Sequence, residues 1–362
     1  MQNNEILLKI AVLTSGGVDS SLAACLLKEQ GHDLTAFYLK IWLEDELSSL
    51  GNCPWQEDLE YVRKLCQNLN IPLKEVSLQK EYWDSIVRYT VAEAQAGRTP
   101  NPDIFCNSKI KFGCFLEHID DSFDKIATGH YAQVEKTEQG YLLKCAPDKV
   151  KDQTYFLSHL SQEQLQRVLF PIGHLTKEEV RRLAAEKDIP AKDRKDSQGL
   201  CFLGKLKFSE FLKFHLGEKI GNFVEFETGK AVGEHNGYWF YTIGQRKGMG
   251  LSGGPWYVVQ KDIQKNIVFI SSNYHSDNKA RNTAFLENFH WIGQKPEKTD
   301  LTVKLRHGPE NYQCSLKVKD KIGRIQLHGQ DQGIAPGQFA VFYDDGICLG
   351  CAMITQTDSC SF

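Results

Sequence analysis

Apolar and polar positions give the chain two textures. Up to about residue 132, short apolar runs alternate with stretches in which apolar residues recur every three or four positions, the pattern of a mainly parallel sheet with helices packed on it. Strands are predicted at 7–13, 34–39, 73–78 and 125–128, and Leu59, Val62, Leu65 and Leu69 mark the buried face of a helix between the second and third. A hairpin is predicted over 134–143, where the polar residues 137–140 separate two short runs. Thr176 and Glu179 have capping-box spacing at the start of a helix over 176–188, which Ile189 and Pro190 end. One more helix, 208–216, precedes a change to β-rich segments broken by turns such as Thr228-Gly229 and Asn236-Gly237. The segments 256–259, 267–270, 301–305, 313–318, 324–327 and 339–343 suit strands of small barrels. No internal repeat or low-complexity stretch interrupts this order. The predicted organisation is an α/β parallel-sheet domain over 1–205, a small and mainly β central module over 206–275, and a C-terminal β-barrel over 276–362.

At 362 residues the chain exceeds one ordinary core, which agrees with several domains. Hydrophobic residues at 41% and charged residues at 25% fit a soluble globular protein, and no apolar run reaches membrane-spanning length. The first eight residues carry Glu5 and no Arg and lead straight into a strand, so neither a secretory signal nor a transit sequence is expected, and the expected location is the cytoplasm. A net charge of −3 offers no global attraction to nucleic acid, so an RNA partner has to be held by local basic patches. The eleven cysteines lack the dense spacing of a disulfide scaffold and point to packing or chemistry.

The first chemical motif follows the first strand: Leu13-Thr14-Ser15-Gly16-Gly17-Val18-Asp19-Ser20, opening a helix from Ser21 that ends at Gly31. Paired glycines let backbone N–H groups curl toward an anion, serine hydroxyls add donors, and the helix N-terminus contributes its dipole, so the product is a pyrophosphate cradle. No Walker lysine follows, so ordinary γ-phosphoryl transfer is not indicated. The string resembles the PP-loop of ATP pyrophosphatases, which cleave between the α and β phosphates and adenylate a substrate.

Two cysteines stand in conspicuous loops. Pro100 and Pro102 are predicted to forbid regular helix and to pin an extended loop that presents Asp103 and Cys106. Further on, Asp196-Ser197-Gln198-Gly199-Leu200-Cys201-Phe202-Leu203-Gly204 sets Cys201 between glycines. Taken with the phosphate loop, with Ala127-Thr128-Gly129-His130-Tyr131-Ala132, with Lys151-Asp152-Gln153-Thr154-Tyr155-Phe156-Leu157 and with Tyr241-Thr242-Ile243-Gly244-Gln245-Arg246-Lys247-Gly248, these strings resemble the bacterial tRNA-specific 2-thiouridylase family along nearly the whole chain. The resemblance implies a PP-loop (adenine nucleotide alpha hydrolase-like) domain, a small central module and a C-terminal β-barrel. It implies an ATP-dependent adenylation of the C2 oxygen of a wobble uridine, then sulfur transfer from a cysteine persulfide. The substrates it implies are tRNAs for lysine, glutamate and glutamine, with ATP, an expected Mg2+, and a sulfur donor such as a cysteine desulfurase or a relay protein.

Carried over residue by residue, the resemblance makes Cys201 the persulfide carrier, Cys106 its partner thiol and Asp103 an acid/base group. Besides the loop residues 13–20, it places Leu39, where the family usually has methionine, and Gly129 at the nucleotide. It assigns RNA contacts to Asn101, Pro102, Asp103, His130, Lys151, Asp152, Gln153, Arg306, His307 and Gln338, although the family normally has Tyr at position 307. The clusters Arg181-Arg182, 192–195 and Arg246-Lys247 suit a phosphate backbone, as they suit ordinary solvated surface. Cys25, Cys66 and Cys114 read as packing residues. Cys348 and Cys351 form a C-x-x-C without a second pair, so the packing role is again expected.

Other readings stay open at this level. A PP-loop synthetase that adds nitrogen to a small metabolite explains the phosphate loop but leaves both cysteine loops idle. Cluster-dependent thiolation of cytidine wants spaced C-x-x-C pairs near the first domain, where none occur. A non-enzymatic RNA-binding module conflicts with the acidic balance and the intact phosphate loop.

Overall fold

The computed structural model describes residues 6–41, 55–196, 206–276 and 281–357. Its first sheet has the order β3-β2-β1-β4-β7, formed by β1 (Lys9–Leu13), β2 (Asp33–Lys40), β3 (Leu73–Ser77), β4 (Lys125–Ala127) and β7 (Val168–Leu169), and every pair is parallel. Side chains alternate across it as the pleat requires. Ile10, Val12, Leu34 and Ala36 pack with Leu59, Val62 and Leu65 of the helix Trp55–Leu69. Ala11, Leu13 and Phe37 face the other way, onto Tyr82, Phe112 and Phe115. The edge strand Val168–Leu169 is too short to show a period and is not among the predicted strands.

The predicted hairpin is present as β5 (Ala132–Thr137) and β6 (Gly140–Cys145), but it belongs to another sheet. Six antiparallel strands, β12 (Thr283–Trp291), β13 (Asp300–Lys304), β14 (Tyr312–Lys319), β15 (Ile322–Leu327), β16 (Phe339–Asp344) and β17 (Ile347–Thr357), close into a barrel through the β12–β17 pairing. The hairpin extends this sheet, with Leu143 opposite Cys348. Between sheet and barrel lies a four-stranded sheet of order β10-β11-β8-β9, with β8 (Gly221–Glu225), β9 (Ala231–His235), β10 (Tyr257–Asp262) and β11 (Ile267–Ser271).

The barrel is also bonded to the first domain by a buried ion pair, Lys304 Nζ to Asp152 Oδ2 at 2.8 Å, with side-chain exposures of 5% and 3%. Removing one partner of such a pair leaves a buried charge alone, so Lys304→Met is expected to cost about 3–5 kcal/mol of stability. The double variant Lys304→Met with Asp152→Leu should recover much of that loss, and chemical denaturation of both checks it.

One predicted loop folds differently. Only residues 98–101 are irregular. Pro102 starts a helical turn, Pro102–Phe105, which passes into a π-helical segment, Cys106–Lys111. The physical reason is that proline at the first helical position gives up an N–H that has no partner there anyway, so it begins a helix instead of forbidding one.

Candidate active site

The order 3-2-1-4 reverses direction between β1 and β4, and in open parallel sheets ligands bind beyond the carboxyl ends of the strands at that switch. Both nucleotide motifs stand there. The phosphate loop leaves the end of β1 and enters the helix Val18–Glu29, with Gly16 at φ +73° and Gly17 as an extended N-cap. No side chain caps that helix start. Within the loop the Ser15 N–H donates to Ser20 Oγ at 3.2 Å, while Ser20 Oγ and Ser21 Oγ donate to the Gly17 carbonyl at 3.2 and 2.8 Å. Thr14 N–H donates to the Phe37 carbonyl of β2 at 2.9 Å and fixes the loop's root. Leu39 lies half-buried near the end of β2, opposite Val76.

Gly129 follows β4 and meets the helix start. A Cβ built on it lies 2.5 Å from Ser20 N and 2.6 Å from the Asp19 carbonyl carbon, so only glycine permits this approach. Its neighbour His130 is 8% exposed, bonded through Nδ1 to Thr128 Oγ1 at 2.7 Å and ringed by Phe112 and Phe170. Burial, with the Lys111 charge adding to it, holds this imidazole well below the usual histidine range. Enclosed in this way, the ring packs between the sheet's end and the aromatic residues beside it.

A network of charges missed by the sequence reading ties the loop to the chain that leads to Cys201. Asp19 accepts from Lys177 Nζ at 2.7 Å and from the Tyr131 hydroxyl at 2.7 Å. Lys177 also pairs with Asp196 at 2.8 Å, and Lys151 and Arg181 pair with the same carboxylate at 2.5 Å each. Burial pushes the Asp196 carboxyl up, but the hydrogen bonds and charges of Lys151 and Lys177 outweigh it and hold the group well below the usual carboxylate range. Arg194 donates to the Gly16 carbonyl at 2.8 Å, pairs with Asp58 at 2.7 Å and lies 4.5 Å over the Tyr61 ring. The sequence offered one clue, that Asp196 opens the string containing Cys201. Nothing in it marks Lys177 as the partner of Asp19, since that contact exists only once the helices Val18–Glu29 and Lys177–Glu186 have packed.

Cys106 opens the π-helical segment and is 1% exposed, packed with Ile104, Ile110 and Phe112. Asp103 stands one turn before it and is half-buried. Cys201 lies outside the described residues. The other described cysteines behave as packing residues. Cys348 and Cys351 are buried in β17, and burial pushes Cys351 up to about 12 and Cys66 up to about 11. Cys25 is buried, and Cys114 is half-buried.

The residues expected at RNA fall into two groups. His307 of the barrel reaches the first domain and stacks on Phe156 at 4.6 Å between centroids, whereas Arg306 pairs with Asp331 within the C-terminal part of the chain and Lys151 with Asp196 in the first domain. Gln153 takes the Tyr131 N–H on Oε1 at 3.0 Å. By contrast Asp152, Asn101 and Pro102 are buried. Asp152 is bound by Lys304, Thr154 and the Ala146 N–H. Of the basic clusters, Arg181, Arg182, Lys192 and Arg194 are engaged in ion pairs, while Arg246 and Lys247 are exposed.

Among the described residues no group of three His, Cys, Asp or Glu side chains is arranged to hold a metal, and no helix is long and apolar enough to cross a membrane. Magnesium commonly keeps several waters and enters with substrate phosphates, so a protein cage for it is not required.

Protein-family profiles match the chain in three stretches: a tRNA methyl transferase HUP domain at 8–205, a tRNA methyl transferase PRC-barrel domain at 209–272 and an aminomethyltransferase beta-barrel domain at 281–354. The tRNA-specific 2-thiouridylase MnmA of Parabacteroides distasonis is 46% identical over 354 residues, which are 96% of this chain and 99% of that one. That of Porphyromonas gingivalis is 45% identical over 96% and 99% of the two chains, and tRNA-specific 2-thiouridylase MnmA 1 of Bacteroides thetaiotaomicron is 44% identical over 96% and 100%.

Proposed function

Since this chain belongs to the tRNA-specific 2-thiouridylase family, we propose that it uses ATP to replace the C2 oxygen of the wobble uridine of tRNA with sulfur, in the cytoplasm. The observation that carries the reading is the phosphate loop at the β1/β4 switch, closed from below by Gly129 and latched by Arg194. Uridine oxygen is a poor leaving group, and adenylation makes it a good one. Methyl transfer, the activity in the printed descriptions of two matching profiles, activates no oxygen for departure and leaves this cradle without a use.

In this reading the C2 oxygen attacks the α-phosphorus of ATP held on the loop residues 13–20, with Leu39 and Gly129 beside the nucleotide, and pyrophosphate leaves. The terminal sulfur of a persulfide on Cys201, charged by a cysteine desulfurase or relay protein, attacks C2, and AMP departs with the oxygen. Cys106 then attacks the inner sulfur of Cys201. The sulfur–sulfur bond breaks, the uridine keeps its sulfur as the thiocarbonyl, and a Cys106–Cys201 disulfide remains to be reduced before the next turnover. Asp103, one helical turn from Cys106, takes the acid/base role. Residues 1–205 carry the chemistry, and 206–275 and 276–362 help to seat the tRNA, whose lysine, glutamate and glutamine species are the proposed substrates.

Arg194 supplies a test of the nucleotide half. Cutting Arg194 to Ala frees the Gly16 carbonyl and loosens the loop, so the KM for ATP is expected to rise about tenfold, the loss of one charge-assisted hydrogen bond. Pyrophosphate release that depends on both tRNA and ATP measures it. Release that instead requires only a small metabolite would favour the synthetase reading.

A further inference from the structure

Arg306 comes two residues after β13, and its side chain ends in a seat made by the segment that precedes β16. Its Nη2 donates to Oδ2 of Asp331, a carboxylate that is 3% exposed, while the arginine side chain itself stays 44% exposed. The other carboxylate oxygen, Oδ1, accepts the Gly333 N–H at 2.7 Å. Gly333 backs the guanidinium closely, for a Cβ built on it would stand 2.4 Å from Arg306 Nη1 and 3.3 Å from Cζ. The segment that carries both residues is itself fixed. Asp331 N–H donates to the Arg281 carbonyl at 2.8 Å, and Arg281 donates from Nη1 to the Gln332 carbonyl at 2.7 Å and from Nη2 to the Val259 carbonyl of β10 at 2.6 Å. Nearer the solvent an exposed carboxylate, Glu310, lies 3.8 Å from Arg306 Nη2.

From this geometry we infer that Asp331 is a positioning residue for tRNA binding: with the bare backbone of Gly333 it holds the Arg306 guanidinium in one place, as a preset donor for an RNA phosphate. This rests on the thiolation reading, in which Arg306 contacts tRNA. A guanidinium carries five N–H donors in a planar fork, so the bond to Asp331 and the backing of Gly333 fix the plane and leave donors for a phosphate. The carboxylate itself repels RNA. What it contributes is order, since a long side chain immobilised in advance loses less freedom when the RNA arrives. Gly333 completes the seat because any larger residue would occupy the place of Nη1.

Direct binding of unmodified lysine tRNA, without ATP and over a range of salt, tests this with Gly333→Ala, Asp331→Asn and Arg306→Ala, and with each of the first two combined with Arg306→Ala. In Gly333→Ala the methyl meets the far end of a flexible side chain, so the arginine moves and the fold stays, with an unchanged midpoint in chemical denaturation. Seating predicts a Kd for tRNA about tenfold weaker in Gly333→Ala and in Asp331→Asn, a KM for tRNA raised by the same factor, and an unchanged kcat for 2-thiouridine at saturating tRNA. The slope of log Kd against log salt should fall by about one phosphate contact, as in Arg306→Ala. Once Arg306 is gone, neither change should weaken binding further, because both act through that side chain. Asp331→Asn that binds tRNA as tightly as wild type, or more tightly, would overturn the seat, for the carboxylate then merely offsets the arginine charge. The same loss persisting in the Arg306→Ala background would also overturn it, by placing the effect in the folding of the barrel, and so would wild-type binding by Arg306→Ala or Gly333→Ala. Wild type that binds tRNA but makes no 2-thiouridine sinks the thiolation reading, while the binding comparison still decides the seat.

Discussion

Gly129→Ala is expected to abolish nucleotide use while leaving the protein folded. The added methyl meets backbone atoms, Ser20 N at 2.5 Å and the Asp19 carbonyl carbon at 2.6 Å. Backbone cannot turn aside as a flexible side chain does, so the first turn of the helix Val18–Glu29 has to move away from β4. That turn holds Ser20 and Asp19, which organise the phosphate loop through Ser15 and Gly17 and anchor Lys177. Overpacking of this kind costs about 1–3 kcal/mol, within the stability of an ordinary domain. Displacing an anion cradle costs catalysis far more, and tRNA-dependent pyrophosphate release should fall about a hundredfold or more. Gly329→Ala is the matched control, since nothing lies within 4 Å of its Cβ. A Gly129→Ala protein that releases pyrophosphate at the wild-type rate would place the nucleotide elsewhere.

The second large effect separates the two halves of the reaction. Cys106→Ser replaces one buried atom by another of similar size, so packing survives, but the hydroxyl cannot break the persulfide bond. Thiouridine formation should fall by about three orders of magnitude or more, as when a nucleophile is removed, whereas pyrophosphate release in the first turnover persists. Cys201→Ser should show the same split, because it removes the sulfur carrier and leaves the adenylation site untouched. Cys114→Ser, half-buried outside the proposed chemistry, should turn over like wild type. Loss of pyrophosphate release together with thiouridine in Cys106→Ser would mean that the thiol acts before sulfur transfer.

Much of this was legible because it is local. The phosphate loop, the strand rhythm of the first domain and the Thr176–Glu179 capping box are read from neighbours a few residues apart, and the capping box is present with both of its hydrogen bonds. What the sequence hid is made by partners far along the chain. Asp152 looks like an exposed acid in a polar loop until Lys304 of the barrel buries it. Gln338 resembles a surface amide until the 99–101 loop packs beneath it. His130 adjoins a nucleotide motif, and only the surrounding aromatic rings show it to be an interior residue. The hairpin was readable as a hairpin from its turn, but its place on the barrel depends on β17, some two hundred residues later. Pro102 hid its role for a different reason: proline ends helices from the inside, and at the first helical position it starts them.

The most direct test of the central claim is mass spectrometry of the nucleosides of unmodified lysine tRNA after incubation with the protein, Mg-ATP and a persulfide-generating desulfurase. The account predicts 2-thiouridine with wild type and none with Cys106→Ser or Cys201→Ser. Wild type that yields no 2-thiouridine while consuming ATP with a small-molecule acceptor would contradict it, and the roles given to both cysteines would fall with it.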